Sequence, residues 1–470
     1  MFTVKIKNDK KELNISALPD CLLSDLLRDK GIFVNHPCGG NGKCGKCIVK
    51  VNGENVLSCK YRVHSDITVE ISETERILSS ENIDEKISAT EKMFIALDIG
   101  TTTVAGALCK KTDGKMLRNV VMPNPQRAYG ADVISRISHC AEDGPDALHK
   151  AIISCINRII GILSRDIKEE NLNEIYVSGN TVMLHLLMNV DCSLIGVAPY
   201  TPAFLAGKEF DAGKIGINGK FKVYTLPCIG SFAGADITAG INYIGMPQSE
   251  KYHLLADLGT NAEIVLWSRN EILCTSAAAG PCFEGANITN GMTGAKGAVC
   301  SYKTDGTFDV IGNTEPEGIC ASGLIDIISV LLKKGIIDES GNMRCEKFEI
   351  TEDVFITRDD IRQYQLAKSA VYSAMEILIK GAGIGFDDID EFYVAGGFSK
   401  GINIENAVNT GLFSEKLKEK FNPVDNSSLK GTIAFAKSDK NLCFDIDKAK
   451  YVDLSTTSDF SDLFIENMMF

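Results

Sequence analysis

Four cysteines near the amino terminus have the types and spacing of a metal-cluster site. Cys38, Cys44, Cys47 and Cys59 follow the pattern Cys-x5-Cys-x2-Cys-x11-Cys, and glycines lie between the first three. Four thiolates that bind two irons must converge, so the chain between them has to curl. Glycine permits that curl and lets backbone N–H groups approach the sulfurs. The segment therefore indicates a [2Fe–2S] cluster.

Two other interpretations of these cysteines exist. Cys44-x2-Cys47 alone is also typical of half a zinc site or of a redox dithiol. A zinc site usually contains a second Cys-x2-Cys pair, and Cys59 has no such neighbour. The full spacing is close to the plant-type pattern Cys-x4-Cys-x2-Cys…Cys, with one extra residue in the first gap. We therefore favour the iron–sulfur cluster.

Two short loops with the sequence Asp-x-Gly-Thr carry the other chemistry. Each follows an apolar, strand-like segment. Glycine after a strand lets the backbone approach a phosphate, and nearby hydroxyls and amides donate hydrogen bonds. Asp98 and Asp257 stand at the strand ends, where each could orient metal-bound water. The candidate phosphate donors are Gly100, Thr101, Thr102 and Thr103 in the first loop (98–103), and Gly259, Thr260 and Asn261 in the second loop (257–261).

The order of these motifs is repeated along the chain. One Asp-x-Gly-Thr is also typical of a plain strand-end turn. Here a second echo pairs Glu174–Gly179 with Glu391–Gly396, and it follows each loop in the same order. Repetition of this kind predicts two related α/β lobes, over 93–250 and 251–470. A Gly-x4-Gly-Lys-Ser/Thr loop is absent from the sequence, which excludes that class of nucleotide-binding protein.

Composition and net charge exclude several classes of partner and location. The chain has 470 residues and a net charge of −13, which argues against a nucleic-acid partner because that would need a basic surface. No apolar run is long enough to cross a membrane, and the start alternates apolar and polar residues unlike a secretory signal. Sixteen cysteines without such a signal fit cofactor ligands and free thiols better than a disulfide scaffold. We expect a cytoplasmic protein without a membrane partner.

The elements that must position these residues are visible as patterns. Alternating apolar and polar residues over 2–7 and 11–16 predict a hairpin. The sequence also predicts a helix over Ser24–Lys30 and strands over 48–51 and 67–71. These belong to a predicted first domain, 1–75, and the polar, charged stretch 76–92 is a predicted linker to the lobes. In the second lobe, apolar spacing over Leu366–Lys380 predicts a helix.

Two family resemblances rest on these motifs. Residues 1–75 resemble the [2Fe–2S] ferredoxin-like domains, which implies an α+β fold of the β-grasp type. The paired loops, together with Val394–Phe398, resemble the actin/Hsp70/sugar-kinase ATPases, which implies a two-lobed, ribonuclease H-like α/β fold. The resemblance implies that the two loops bind the phosphates of Mg²⁺-ATP and that Gly396 and Gly397 lie in an adenosine loop. It also implies that Asp98 and Asp257, with Glu263 as a weaker candidate, serve hydrolysis.

The combination of both domains resembles the reductive activators of corrinoid proteins. Stretches such as 278–285 and 403–407 also resemble that family. The linker between the cluster domain and the lobes is short, so we expect this chain to lack an extra middle domain that longer relatives contain. The resemblance implies an ATP-dependent protein that returns Co(II) in a corrinoid protein of a methyltransferase system to Co(I) by one-electron transfer. It also implies an external low-potential electron donor and a homodimer.

Other functions remain open at this stage. ATP-driven activators of radical dehydratases also deliver low-potential electrons, but they use a [4Fe–4S] cluster between subunits, which the separate two-iron pattern disfavours. A redox- and nucleotide-regulated binding module is compatible with the same motifs. A small-molecule kinase with a fused ferredoxin would need a substrate pocket that no motif indicates.

Overall fold

The alternating apolar and polar residues near the amino terminus form strands of a five-stranded sheet. The structure, a computed structural model, describes residues 1–8, 11–30, 32, 34, 42, 47–71, 79–82 and 90–470. Strands β1 and β2 form the predicted hairpin, and the sheet order is β2-β1-β5-β3-β4. Helix α1 and the inward side chains form a separate apolar core. The elements are β1 (Phe2–Asn8), β2 (Lys11–Ala17), α1 (Leu23–Asp29), β3 (Ile48–Val51), β4 (Glu54–Leu57) and β5 (Ile67–Glu70).

A second sheet carries the first loop. Its order is β11-β12-β10-β7-β8-β9-β6, and its central strand β7 is almost entirely buried. The strands are β6 (Ser79–Asn82), β7 (Met93–Ile99), β8 (Thr103–Lys110), β9 (Met116–Pro123), β10 (Leu172–Gly179), β11 (Glu209–Asp211) and β12 (Lys222–Thr225). The helices are α2 (Val133–Asp143), α3 (Asp146–Leu163), α4 (Thr181–Leu187) and α5 (Ala235–Ile244). Strand β6 lies in the predicted linker, where the sequence indicates no strand, and it pairs with β9 to form one edge of the sheet.

A third sheet carries the second loop, in the order β22-β21-β13-β14-β15-β23. Two small sheets, β17-β16-β18 and β19-β20, accompany it. The strands are β13 (Tyr252–Leu258), β14 (Ala262–Trp267), β15 (Ile272–Ala277), β16 (Ala298–Tyr302), β17 (Phe308–Val310), β18 (Gly318–Ile319), β19 (Lys347–Glu349), β20 (Phe355–Thr357), β21 (Ile389–Ala395), β22 (Phe421–Pro423) and β23 (Ala449–Tyr451). The helices are α6 (Ala321–Lys333), α7 (Arg358–Gly381), α8 (Ile404–Asn409), α9 (Ser427–Lys437) and α10 (Phe460–Glu466).

The two echoes seen in the sequence have equivalent places in the two larger sheets. Strand β7 forms a hairpin with β8 and lies parallel to β10, as β13 does with β14 and β21. A side chain at Gly179 would meet the carbonyl oxygen of Ile99 at 2.7 Å, and one at Gly396 would meet that of Leu258 at 2.2 Å. Both glycines therefore let a neighbouring strand end approach the residue that precedes a loop glycine.

The chain forms two compact units. The first comprises Met1–Ala239 and Ser428–Asn441, and the second comprises Gly240–Ser427 and Leu442–Phe470. The segment 428–441 falls within the second predicted lobe by sequence, yet it packs in the first unit. The boundaries given by the sequence analysis stay predictions. Among the described residues, no helix combines the length and the apolar character that crossing a membrane requires.

Helix α7 is the longest helix of the second unit and begins earlier than predicted. The apolar spacing first becomes regular at Leu366, but the helix starts at Arg358, because Thr357 and Asp360 form a capping box there. Ile361 and Tyr364 extend its buried face toward the amino end. Helix α10 packs against α7, so the apolar carboxyl-terminal residues are part of the core of this unit.

Candidate functional site

A turn next to β3 and β4 brings two of the four predicted cluster ligands together. Cys47 directly precedes β3 and Cys59 follows β4, and Ser58 donates its N–H to the carbonyl oxygen of Cys47 at 2.9 Å. The two Sγ atoms are 3.2 Å apart, and the residues are only 1% and 8% exposed. This separation is well beyond a disulfide bond of about 2.05 Å, so both are free thiols. Cys38 and Cys44 lie outside the described residues.

The chemistry of this pair fits an iron–sulfur cluster. Two free thiols converge inside an apolar core, and thiolates are the ligands that such clusters require. Burial also keeps water away from the sulfurs, which is one way in which a protein sets a cluster's reduction potential. The described half of the predicted ligand set therefore agrees with the cluster site that the spacing indicates.

In the first unit, Asp98 is held by a chain of buried hydroxyls. Ser428, in the first turn of α9, donates a hydrogen bond to Oδ1 of Asp98 at 2.7 Å. The Oγ atoms of Ser428 and Ser178 are 2.8 Å apart, and Thr432 donates to Ser178 at 2.7 Å. Ser178 lies opposite Asp98 in the β7–β10 register. The carboxylate at the end of β7 is thus fixed by residues from two other elements.

In the second unit, Asp257 belongs to a polar row across three strands. Asp257 on β13 lies opposite Glu263 on β14, and Glu263 lies opposite Ser276 on β15. Ser276 donates to Oε1 of Glu263 at 3.4 Å, and Ser427 donates to Oδ2 of Asp257 at 3.3 Å. The structure therefore places the two acids that the sequence analysis singled out in this unit side by side on one sheet.

A third acid of the second unit, which the sequence analysis did not select, contacts the second loop directly. Thr260 donates a hydrogen bond to Oε2 of Glu284 at 2.6 Å. Glu284 ends a 3-10 turn between Gly280 and Gly285, whose φ angles are 74° and 78°. Such positive φ values favour glycine. The signal in the sequence is the pair of glycines that frames Pro281–Glu284, but spacing alone does not reveal the contact with Thr260.

The third predicted loop, 394–398, lies beside the second loop in the same unit. Ala395 is the register partner of Asp257, and Gly396 has a φ of +106° where its backbone passes the carbonyl of Leu258. The space around Gly397 is open. Phe398 stacks on Phe283 with ring centroids 5.3 Å apart, which connects this loop to the turn that carries Glu284.

His185 is a buried histidine of the first unit with a structural position. His185 is fully buried on α4, where its ring stacks on Phe204 at 4.2 Å. Its Nδ1 is 2.8 Å from the carbonyl oxygen of Thr181, and Ala203 donates its N–H to Nε2 at 3.0 Å. Both ring nitrogens therefore make hydrogen bonds to the backbone. Burial lowers the pKa of His185, which agrees with a neutral ring.

Comparison with protein families matches almost the whole chain. A model described as the C-terminal domain of RACo, the ASKHA domain, matches residues 251–470. A model of the RACo middle region matches residues 93–249. A 2Fe-2S iron-sulfur cluster binding domain matches residues 6–78. The two RACo models together span both lobes predicted from the repeated motifs.

Individual relatives agree with these matches. The chain is 29% identical to the corrinoid activation enzyme RamQ of Eubacterium limosum, with 98% of each chain covered. It is 26% identical to a [Co(II) methylated amine-specific corrinoid protein] reductase of Methanosarcina barkeri, over 67% of this chain and 65% of that protein. A solved structure described as a reductive activator for corrinoid, iron-sulfur protein is 27% identical, with a TM-score of 0.71 over 100% of this chain and 98% of that one.

These matches confirm the predicted fold class. The ASKHA match and the solved structure agree with the two larger α/β sheets, and the iron–sulfur domain match agrees with the five-stranded sheet that contains Cys47 and Cys59. The order of the parts is the one that the motifs indicate. The chain belongs to the family of reductive activators of corrinoid proteins, with a ferredoxin-like [2Fe–2S] domain ahead of an actin-like α/β ASKHA domain.

Proposed function

We propose that this chain uses ATP to drive transfer of one electron to the Co(II) corrinoid protein of a methyltransferase system, which restores Co(I). The observation that carries the proposal is the presence, in one chain, of a buried pair of thiols at a two-iron motif and of a duplicated Asp-x-Gly-Thr loop. The names of the relatives support the corrinoid target, because they describe activation or reduction of corrinoid proteins.

The residues divide into two groups by role. Cys38, Cys44, Cys47 and Cys59 would hold the [2Fe–2S] cluster, which accepts and donates single electrons when bound. The first and second loops would bind the phosphates of ATP through backbone N–H groups and the hydroxyls of their threonines. Gly396 and Gly397 would leave room for the adenosine.

The acidic residues would serve the metal and the water. Asp98 and Asp257 would orient water molecules bound to Mg²⁺, since carboxylates commonly hold that ion through its water shell. The hydroxyl of Ser428 keeps Asp98 in place, and the polar row keeps Asp257 beside Glu263. Glu284, through Thr260, would hold the second loop in the geometry that phosphate binding requires.

ATP is needed because the electron transfer is unfavourable. Plant-type two-iron centres have potentials of about −400 mV, and we propose that reduction of Co(II) in the corrinoid requires a lower potential. Nucleotide can drive such a step only if its binding changes the affinity for the partner or the way in which the partner is held. An external low-potential donor would supply the electron, and we propose a homodimer as the assembly.

The decisive experiment follows Co(I) directly. The reduced protein is mixed anaerobically with a Co(II) corrinoid protein from a methyltransferase system, and Co(I) absorbance is recorded with and without Mg-ATP. We expect Co(I) to appear only with Mg-ATP. Absence of Co(I) with several corrinoid partners, despite an intact cluster and bound nucleotide, would favour the regulated binding module. Four irons per chain or per dimer interface, rather than two per chain, would favour the dehydratase activators.

An Asp257→Asn variant connects this activity to the predicted site. The substitution keeps the size of the side chain and removes the negative charge that would orient metal-bound water. We expect phosphate release to fall at least about a hundredfold, while the cluster absorbance stays unchanged. Unchanged phosphate release would remove Asp257 from the proposed site. Asp309, an exposed acid of the same unit, provides the matched control as Asp309→Asn.

A further inference from the structure

Three consecutive carbonyl groups of the first loop accept hydrogen bonds from one side. Asn124 donates its side-chain Nδ2 to the carbonyl oxygen of Gly100 at 2.8 Å. Arg136 donates Nη2 to the carbonyl oxygen of Thr101 at 2.5 Å. The backbone N–H of Asn124 donates to the carbonyl oxygen of Thr102 at 2.9 Å. No motif in the sequence analysis includes either donor residue.

These donors belong to a buried polar group, the loop support, formed by Asn124, Gln126 and Arg136. None of the three is more than 1% exposed. Oε1 of Gln126 accepts hydrogen bonds from Arg136 at 3.4 Å and from Asn124 at 3.3 Å. Nε2 of Gln126 donates to the carbonyl oxygen of Leu148 at 3.1 Å, which ties the group to helix α3. Hydrogen bonds therefore join the three residues of the loop support to one another, to the first loop and to helix α3.

Local sequence explains how the loop support is held. Asn124 follows β9 and caps the 3-10 turn Pro125–Ala128, where its Oδ1 accepts from the N–H of Gln126 at 2.9 Å. Helix α2 begins after Asp132, which forms a capping box with Ser135. This fixes the first turn of α2 and with it Arg136, whose Nε also donates to the carbonyl oxygen of Gly130 at 3.0 Å.

Burying a guanidinium group is costly, and apolar residues of similar volume often stabilise a core as well or better. The loop support therefore needs a reason beyond packing. The planarity of the peptide bond provides one, because a trans peptide directs its C=O and the next N–H to opposite sides. With the carbonyls of Gly100, Thr101 and Thr102 turned toward the loop support, the N–H groups of the three threonines 101–103 are directed away from it.

We propose that Asn124 and Arg136 are positioning residues for nucleotide binding. They hold the first loop so that successive backbone N–H groups face the phosphates of ATP, and the guanidinium adds positive potential behind the loop. This inference rests on the proposed function, because it assumes that the first loop binds phosphate. It adds a specific requirement that the loop's orientation comes from residues 124–136 and not from the Asp-x-Gly-Thr sequence alone.

The test measures Mg-ATP affinity of the full chain by titration calorimetry, with three variants. Arg136→Lys keeps the charge and removes the fork of donors. Asn124→Asp keeps the acceptor for Gln126 and removes the donor to Gly100. Arg158→Lys, on the exposed side of α3, is the matched control. We expect the Kd for ATP to rise about tenfold in each of the first two variants, since each loses a hydrogen bond to a loop carbonyl. The control should bind as wild type.

A second readout separates positioning from general destabilisation. Ile156→Ala shortens a buried side chain of helix α3 in the same unit, and Ile156 belongs neither to the first loop nor to the loop support, so we expect a loss of stability alone. At equal loss of thermal midpoint, we expect Ile156→Ala to keep the wild-type Kd and the KM for ATP. In Asn124→Asp and Arg136→Lys the KM should rise about tenfold, with kcat changed less than threefold.

The outcomes are distinct. Wild-type affinity in both Asn124→Asp and Arg136→Lys overturns the inference, and so does an equal loss of affinity in Ile156→Ala. If Arg136→Lys does not fold, Asn124→Asp decides alone. If the wild-type chain itself binds no Mg-ATP, the proposed function is wrong. If the wild type binds Mg-ATP and both variants bind it equally well, only the present inference is wrong.

Discussion

At the scale of residues, the two predicted catalytic aspartates are equivalent in position but not in surroundings. Asp98 and Asp257 each lie at the end of a central strand beside a parallel neighbour. Asp98 has a short hydrogen bond from Ser428 and a chain of further hydroxyls behind it, whereas Asp257 has a longer bond from Ser427 and an acidic neighbour on the next strand. Two consecutive serines thus serve the two units, one each.

This difference predicts unequal effects of serine substitution. Ser428→Ala removes the 2.7 Å hydrogen bond to Asp98 and interrupts the hydroxyl chain, so we expect ATP hydrolysis to fall about tenfold. Ser427→Ala removes only a 3.3 Å bond to Asp257, and we expect a loss of about two- to threefold. Phosphate release at saturating Mg-ATP measures both. Ser438→Ala, at an exposed position directly after the same helix, is the control, and equal rates in all three variants would contradict the assigned roles.

Gly396 is the second residue at which a small change should matter. Its φ of +106° and the carbonyl oxygen of Leu258, 2.2 Å from an added Cβ, leave no space for a methyl group. We expect Gly396→Ala to weaken ATP binding more than about tenfold, because the loop must shift to relieve the clash. Gly381→Ala, where the added Cβ meets open space at the end of α7, should bind as wild type. Wild-type affinity in Gly396→Ala would show that loop 394–398 does not contact nucleotide.

At the scale of elements, helix α7 and the carboxyl-terminal segment form one packed structure around a buried lysine. Lys368 is 1% exposed, and its Nζ donates a hydrogen bond to the carbonyl oxygen of Met469 and lies 5.2 Å from the ring centroid of Phe470. Gln365 donates to the carbonyl oxygen of Met468 at 2.9 Å. The segment is therefore fixed by its backbone as well as by its apolar side chains.

Burial of Lys368 gives this structure a pH dependence. Burial lowers the pKa of Lys368 to about 8, below the value of about 10.4 in an unfolded chain. Between these two values the unfolded chain binds more protons than the folded one, so the contribution of this residue to stability rises with pH. Lys368→Met removes that contribution. We expect the difference in thermal midpoint between wild type and Lys368→Met to change in favour of wild type from pH 7.5 to pH 9.5, and a constant difference would contradict this.

Elements with a regular pattern were predictable, whereas their long-range partners were not. The alternation over 2–7 and 11–16 identified the hairpin β1–β2, and the repeated Asp-x-Gly-Thr identified β7 and β13. Strand β4 has only four residues, two polar followed by two apolar, and β6 lies in a charged stretch, so neither shows an alternating pattern. The loop support is invisible in the sequence because Asn124 and Arg136 gain their roles only through contacts with carbonyl groups 24 and 35 residues away.

At the scale of the whole molecule, two of the predicted cluster ligands and the predicted second loop border different apolar cores. The buried members of the core that contains Cys47 and Cys59 lie, among the residues that the structure describes, between positions 4 and 71, whereas Asp257 borders a core of the second unit. We therefore expect a substitution in one of these cores to leave the other core packed. We propose that an electron-carrying domain and nucleotide-binding lobes divide the labour in this way.

Separate cores predict separable losses. Cys47→Ser replaces a predicted cluster ligand inside the first core, so we expect loss of the cluster's visible absorbance and of bound iron. The affinity for Mg-ATP should stay within about twofold of wild type, as measured by calorimetry. Cys274→Ser, a buried thiol on β15 without ligand spacing, should keep the iron. Joint loss of iron and ATP binding in Cys47→Ser would contradict independent domains.

The packing of Ser428–Asn441 in the first unit has a consequence for folding during synthesis. Ser428, which holds Asp98, follows it by 330 residues. At about 5–20 residues per second, a ribosome needs roughly 15 to 70 seconds to make that stretch. The first unit therefore has its central strand long before it has its last helix, and the second unit is mostly synthesised in the interval. The surface of the first unit that receives helix α9 therefore has to stay accessible until translation is almost finished.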